Sequence, residues 1–122
     1  MKCTYLLLVA LLGCNVVGCN SVSSALCKDD VQTASASPRG NFIASVKLRD
    51  CGATTDFSSV ISIKDVGGSS QISEEDVFVL RGDNAISIKW IDDNTLKVEC
   101  EECDPKNIFK KLESWNRVEI RY

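Results

Sequence analysis

The sequence predicts a mainly β domain, an antiparallel sheet, sandwich or small barrel of six to seven strands with one short helix near the C-terminus. Apolar and polar residues alternate over several short runs, which is the pattern of strands with one buried face. Clusters of Gly, Pro, Asp and Asn separate these runs about every ten residues, as in small all-β folds. Only one segment, close to the C-terminus, has its apolar residues at helical spacing.

The clearest strands lie in the first half of the domain. Residues 42–49 and residues 59–66 alternate apolar with polar side chains, so each predicts a half-buried strand. A turn at Pro38-Arg39-Gly40 precedes the first of them, because Pro presets one backbone dihedral and Gly supplies the next. Residues 27–37 give only a weak strand signal.

The second half of the domain predicts a hairpin and the single helix. Residues 77–80 form a short apolar run, and residues 85–91 and 95–100 flank a turn rich in Asp and Asn. Asp104 and Pro105 resemble an N-cap and a first helical position. Apolar residues at helical spacing then predict a helix over residues 106–114, followed by a last strand over residues 115–122.

The N-terminal segment has the features of an export signal. It begins with Lys2 and continues into an apolar run too short for a membrane span, which needs about 20 residues. Two stretches, Leu11-Leu12-Gly13-Cys14 and Val16-Val17-Gly18-Cys19, resemble the bacterial lipobox. That resemblance implies cleavage before a cysteine that carries lipid. We favour Cys19 over Cys14 because cleavage there leaves a signal peptide of more usual length.

These boundaries divide the chain into a signal peptide over residues 1–18, a lipidated tether over residues 19–26 and one β domain over residues 27–122. The lipobox resemblance implies a protein exported and lipid-anchored to a bacterial membrane, facing the periplasm or the cell exterior. Asn20 replaces the Asp that commonly marks inner-membrane retention, so an outer membrane is favoured in a Gram-negative host. The expected partners are the membrane, through the N-terminal lipid, and another envelope protein.

Composition argues against several function classes. The chain has no histidine, so it lacks the commonest general base and metal ligand and any Ser-His-Asp arrangement. Its formal net charge is −3, with Lys and Arg scattered among the acids, so no nucleic-acid partner is predicted. We expect no catalytic residue, no cofactor and no metal site, and no small-molecule substrate is evident.

The remaining cysteines are expected to form disulfides, because an exported domain meets an oxidising environment. Four cysteines allow three pairings, of which we favour Cys27–Cys51 and Cys100–Cys103. The first would close a long loop and would join the tether region to the domain.

Two candidate sites follow from these cysteines. The loop Gly52, Ala53, Thr54 and Thr55 is small and polar, and a disulfide at Cys51 would fix it in place, so it is a candidate interaction surface. Its alternative role is to allow tight packing around the bridge. The Cys100-Glu101-Glu102-Cys103 motif is a candidate redox pair, but its acidic neighbours disfavour the thiolate that such chemistry needs.

The sequence also resembles a family of small bacterial exported lipoproteins of unknown function. The resemblance covers residues 27–98 and includes the Ser37-Pro38-Arg39-Gly40 turn, the stretch from Arg49 to Thr55 (Arg-Asp-Cys-Gly-Ala-Thr-Thr) and residues 88–96. It implies a β-rich lipoprotein domain and no activity. Two functional hypotheses result: a non-catalytic binding module, which predicts an exposed aromatic or apolar patch, and a thiol-disulfide oxidoreductase using Cys100 and Cys103.

Overall fold

The computed structural model describes residues 27–52, 55–68 and 72–122, and the predicted signal peptide, tether, Cys14 and Cys19 lie outside these ranges. Strands make up most of the described chain. They are β1 (Lys28–Ala36), β2 (Phe42–Asp50), β3 (Ser58–Asp65), β4 (Ser73–Arg81), β5 (Ser87–Asp92), β6 (Thr95–Glu99), β7 (Ile108–Lys111), β8 (Ser114–Trp115) and β9 (Val118–Arg121).

The strands form two sheets in a sandwich-like arrangement, which confirms the predicted fold class. One sheet has five strands in the order β1-β2-β3-β4-β7, and the other has four in the order β5-β6-β9-β8. The pairings are antiparallel except that β6 and β9 run parallel. Successive strands therefore pair mostly through short turns, as the regular spacing of the turn residues indicates.

The hydrophobic core lies between the two sheets. The five-stranded sheet contributes buried apolar side chains from β2, β3 and β4, and the other sheet contributes them from β6 and β9. These residues are Phe42, Ala44, Val46, Ile61, Ile63, Val77, Phe78, Leu80, Leu96, Val98, Val118 and Ile120. The alternation in β2 is as predicted, because every second side chain from Phe42 to Val46 is buried and those between are half-buried.

The helix predicted over residues 106–114 is wrong. Pro105–Asn107 forms a single 3₁₀ turn, capped by the Asp104 carboxylate, which accepts a hydrogen bond from the Lys106 amide at 3.0 Å. Strand β7 follows and pairs with β4. Sheet pairing thus overrides helical spacing, which a short apolar segment cannot distinguish from a strand. The last predicted strand is also divided, into β8 and β9, by a turn at Asn116 and Arg117, both with positive φ.

Strand β3 is buried on both faces. Ile61 and Ile63 belong to the core, whereas Val60 is fully buried without being part of it. The cover over Val60 consists of ion pairs that join β2 to β4, the strands on either side of β3. Lys47 Nζ lies 2.7 Å from Glu74 Oε1, and the Arg49 guanidinium reaches Asp76. The aliphatic stems of these long side chains supply the apolar cover.

Arg49 is the centre of this ion-pair layer. Its Nε and Nη2 atoms donate to the two carboxylate oxygens of Asp29 at 2.7 and 2.9 Å, and Nη1 donates to Asp76 at 2.9 Å. The hydrogen bond from Arg49 lowers the pKa of Asp29. Burial raises the pKa of Asp76, but hydrogen bonds from Arg49 and from the Ser62 hydroxyl, at 2.7 Å, outweigh it and bring that pKa below its usual value.

Replacing Arg49 by Met should therefore make the protein less stable and less sensitive to acid. Carboxylates with lowered pKa values stabilise the fold above their unfolded pKa of about 3.9, and this stabilisation is lost as pH falls through the folded pKa. We expect Arg49→Met to lower the free energy of unfolding by about 2 kcal/mol at pH 7. The difference from the wild type should shrink as the pH approaches about 2, measured by urea denaturation across pH.

Arg121→Met is the matched control for this prediction. Among the described residues, Arg121 forms an ion pair with Glu119 alone, on its own strand at 3.4 Å, and both side chains are more than half exposed. Its loss should change stability by less than about 0.5 kcal/mol. An equal loss in both variants at pH 7 would contradict the proposed role of the layer.

The end of the molecule that carries the turn at residues 37–41 is held by hydrogen bonds between the two sheets; we call it the turn end. The Arg39 amide donates to Asp93 Oδ1 at 2.7 Å, and Asn116 Nδ2 donates to the buried Asp65 carboxylate at 2.7 Å. The Val66 amide also donates to the Asn41 carbonyl at 2.9 Å, which brings the backbone of Gly67 against Asn41.

Gly67→Ala should destabilise the protein because a Cβ at residue 67 would lie 2.6 Å from the Asn41 Cα. The backbone must shift to accommodate it, at a cost of about 1–3 kcal/mol. Gly68→Ala is the control, since its Cβ would meet only the end of the Arg117 side chain at 3.9 Å. Equal urea midpoints for the two variants would show that the close approach at Gly67 is unimportant.

Candidate functional site

The opposite end of the molecule collects both cysteine pairs; we call it the bridge end. Here β1 begins opposite the end of β2, as Lys28 pairs with Asp50. Strand β3 likewise begins opposite the end of β4. The segments that connect the two sheets, residues 82–86 and 100–107, also leave β4 and β6 at this end. Residues far apart in the sequence therefore share one surface.

The two cysteine pairs are those favoured from the sequence. The sulfur atoms of Cys27 and Cys51, 24 residues apart, lie at disulfide-bonding distance, as do those of Cys100 and Cys103. The first pair joins the start of β1 to the end of β2 and so fixes where the chain enters the domain. The second pair follows β6 and packs against the core through both half-buried residues.

The candidate interaction loop begins at the first bridge. The amide and hydroxyl of Thr55 both donate to the Gly52 carbonyl at 3.2 Å, and the Gly52 amide donates to Asp50 Oδ1 at 3.0 Å. Gly52 has a φ of 118°, a backbone conformation that favours glycine. Gly52 and Thr55 are exposed, whereas Ala53 and Thr54 lie outside the described residues.

Beside this loop is a shallow recess of about 410 Å³. Its wall combines the first bridge, the loop and the ends of β3, β4 and β7. The lining residues are Cys51, Thr55, Asp56, Ser58, Arg81 and Phe109. The Arg81 guanidinium lies over the Phe109 ring, 5.2 Å from its centroid, and so covers part of an aromatic face.

Two phenylalanines at this end are exposed. Phe109 is 60% exposed and Phe57 is 47% exposed. The Phe57 carbonyl accepts a hydrogen bond of 2.6 Å from the Gly82 amide, which holds the backbone at Phe57 beside the end of β4. Phe57, Arg81 and Phe109 lie at the same end of the domain, and we call these three residues the aromatic patch; of them, Arg81 and Phe109 line the recess. The sequence does not predict this patch, because Phe109 falls at helical spacing and so lies within the predicted helix.

Residues 83–86 of the connection between β4 and β5 help to line an acidic cleft of about 500 Å³. Four carboxylates line it together with Cys100 and the start of β5. These acids are Asp83, Glu99, Glu101 and Glu102, of which Glu99 pairs with Lys97 at 3.0 Å. In the described ranges, no three His, Cys, Asp or Glu side chains are grouped in a way suited to a metal ion.

The cleft gives the Cys100–Cys103 pair an acidic surrounding. Glu101 and Glu102 between the cysteines are exposed, and Glu99 precedes them. Negative neighbours disfavour a thiolate, so the chemistry of the site favours a structural bridge, and the oxidoreductase hypothesis stays a prediction.

No family model, curated protein or solved structure matches the chain. The resemblance to small exported lipoproteins therefore stays a prediction. The part of the chain that the structure describes also has no helix with the length and hydropathy of a membrane span.

The two cysteine pairs should contribute unequally to stability. Replacing Cys27 and Cys51 by Ser reopens a loop of 24 residues and should lower the free energy of unfolding by about 3 kcal/mol. The same change at Cys100 and Cys103 reopens a far shorter loop and should lower it by roughly 2 kcal/mol or less. Urea denaturation of the oxidised proteins measures both values.

The Cys100/Cys103 variant also tests the redox hypothesis through an insulin-reduction assay. A structural bridge predicts that the wild type has no activity to lose. Wild-type activity that disappears in this variant, with the fold intact by circular dichroism, would make the oxidoreductase hypothesis the stronger one.

Proposed function

We propose that this protein is an exported lipoprotein, anchored to a bacterial membrane by lipid on Cys19, and that its β sandwich is a non-catalytic binding module. The aromatic patch is the proposed contact surface. The observation that carries this proposal is the exposure of Phe57 and Phe109 at the same end of the domain. An interaction module requires such a patch, and an oxidoreductase built on Cys100 and Cys103 does not.

The energetics of the two rings support this choice. Burying a phenylalanine side chain contributes about 1.5–3 kcal/mol. Because Phe57 and Phe109 face solvent, this free energy is available to stabilise a complex. Binding sites commonly contain aromatic residues and Arg at their centre, and Arg81 lies over the Phe109 ring. Tyr122 is also exposed, but its hydroxyl donates to the Leu112 carbonyl at 2.7 Å and its ring packs on Phe78, so its role is structural.

The fixed backbone around the patch also supports a binding role. The Cys27–Cys51 pair, the hydrogen bonds of Thr55 to Gly52 and the sheet pairing of Ser58 with Arg81 hold the surrounding segments. A surface that is already ordered loses less conformational entropy when it binds. The lipid anchor adds to this effect, because tethering raises the effective concentration of any contact at the same membrane.

Site-specific photo-crosslinking in the host envelope tests the proposal. A benzoylphenylalanine at Phe109 should yield covalent adducts with envelope components, and Phe57→Ser should reduce their yield. The matched control places the same group at Ile91, which is 49% exposed and lies at the end of β5, away from the patch. Intact mass of the extracted protein should show a chain that begins at Cys19 with added acyl groups.

The results separate the two parts of the proposal. Equal adduct yields from positions 109 and 91 would contradict a specific contact at the aromatic patch. A chain that retains residues 1–18 or lacks acyl mass would contradict the anchor. A chain that begins at Cys14 with acyl mass would keep the anchor and move it to the alternative cysteine.

A further inference from the structure

We infer that the partner of the aromatic patch is the lipid bilayer itself, with Phe57 and Phe109 seated at the headgroup level of the membrane that holds the Cys19 anchor. This inference rests on the proposed function, because it needs the lipid on Cys19. Three features support it: the length of chain between the anchor and the domain, the point where that chain enters the domain, and the chemistry of the patch.

The chain between the proposed anchor and the domain is short. Cys27 comes eight residues after Cys19, and eight residue steps span at most about 28 Å when fully extended. The Cys27–Cys51 pair fixes the entry point at the bridge end. The anchor therefore keeps the bridge end within about 28 Å of the bilayer surface, and a tether that is not fully extended brings it closer.

The length of β1 separates the two ends of the domain. Strand β1 has 9 residues and runs from the bridge end to the turn end, a distance of about 30 Å. The turn end can lie about 30 Å farther from the membrane than the bridge end. Exposed apolar residues of the turn end, such as Ile91, are thus poorly placed for the bilayer, whereas Phe57 and Phe109 lie beside the entry point of the tether.

The side chains of the aromatic patch suit a membrane interface. Aromatic side chains partition favourably to the membrane interface, where the ring meets the acyl boundary and polar groups meet the headgroups. Arg81 lies against Phe109 and supplies a guanidinium that can pair with a lipid phosphate. The acidic cleft lies at the same end and is repelled by anionic lipid, so the contact should be stronger on a neutral lipid surface than on an anionic one.

Fluorine NMR of the lipidated chain tests the inference, because the protein has only 4 phenylalanines. Phe42 and Phe78 are each 2% exposed and act as internal controls for Phe57 and Phe109. The protein is labelled with fluorophenylalanine, assigned with Phe57→Leu and Phe109→Leu, and reconstituted in phosphatidylcholine vesicles that contain a headgroup nitroxide lipid. The signals of Phe57 and Phe109 should lose most of their intensity, and that of Phe42 should be retained.

Two further comparisons, with variants and with anionic lipid, test the same contact. Phe109→Ser should reduce the loss of intensity at Phe57, because it removes one of the two rings that hold the bridge end at the bilayer, and Ile91→Ser should leave it unchanged. Replacing part of the phosphatidylcholine by phosphatidylglycerol should also reduce the loss, because the acidic cleft is repelled. Salt should restore it by screening that repulsion.

Three other outcomes would contradict the lipid contact, the anchor or both. Acyl mass on Cys19 with no greater loss at Phe57 and Phe109 than at Phe42 overturns the lipid contact alone and makes a protein the partner of the patch. A chain without acyl mass overturns the anchor and the lipid contact together. Concentration-dependent shielding of Phe57 and Phe109 from a soluble paramagnet, in vesicle-free protein, would show that a second copy covers the patch.

Discussion

The two-sided burial of β3 is the constraint on which the rest of the structure depends. Ile61 and Ile63 fill the core, whereas Val60 and Ser62 are buried on the face that no second sheet covers. A two-layer sandwich normally leaves the outer face of a central strand to solvent. Here the ion pairs of Lys47 and Arg49 bridge from β2 to β4 and cover it. The same pairs couple the register of three strands, so the five-stranded sheet is fixed from both faces.

Different interactions stabilise the two ends of the sandwich. At the turn end, short polar contacts such as Arg39 with Asp93 and Asn116 with Asp65 join the sheets. At the bridge end, Cys27–Cys51 joins β1 to β2 within one sheet, and Cys100–Cys103 closes the turn that follows β6. Phe57 and Phe109 therefore remain exposed on a surface whose backbone is already ordered, which is the combination that favours binding.

Local patterns in the sequence were sufficient to predict the fold class but not the candidate site. Alternation identified β2 and β3 because one face of each meets the core, and the cysteine pairs followed from the predicted export signal and from spacing. The exposed ring of Phe109 did not follow, because β7 exists only through its pairing with β4, and a bulge between Val79 and Leu80 shifts that pairing. The cover over Val60 was equally hidden, since Lys47 and Glu74 are 27 residues apart and become neighbours only across β3.

The Cys27–Cys51 pair fixes the point at which the chain enters the domain as well as contributing to stability. Strand β1 is an edge strand and is exposed along nearly its whole length, so its first residues gain little from burial. Without a covalent bond at Cys27, the start of β1 could separate from β2 and lengthen the tether by several residues, at about 3.3 Å per residue. The Cys27–Cys51 pair opposes this separation. If Cys19 carries the proposed lipid, the eight residues that follow it then limit the distance between anchor and domain. Under that proposal, the surface around Cys27 is the part of the domain that meets the membrane first.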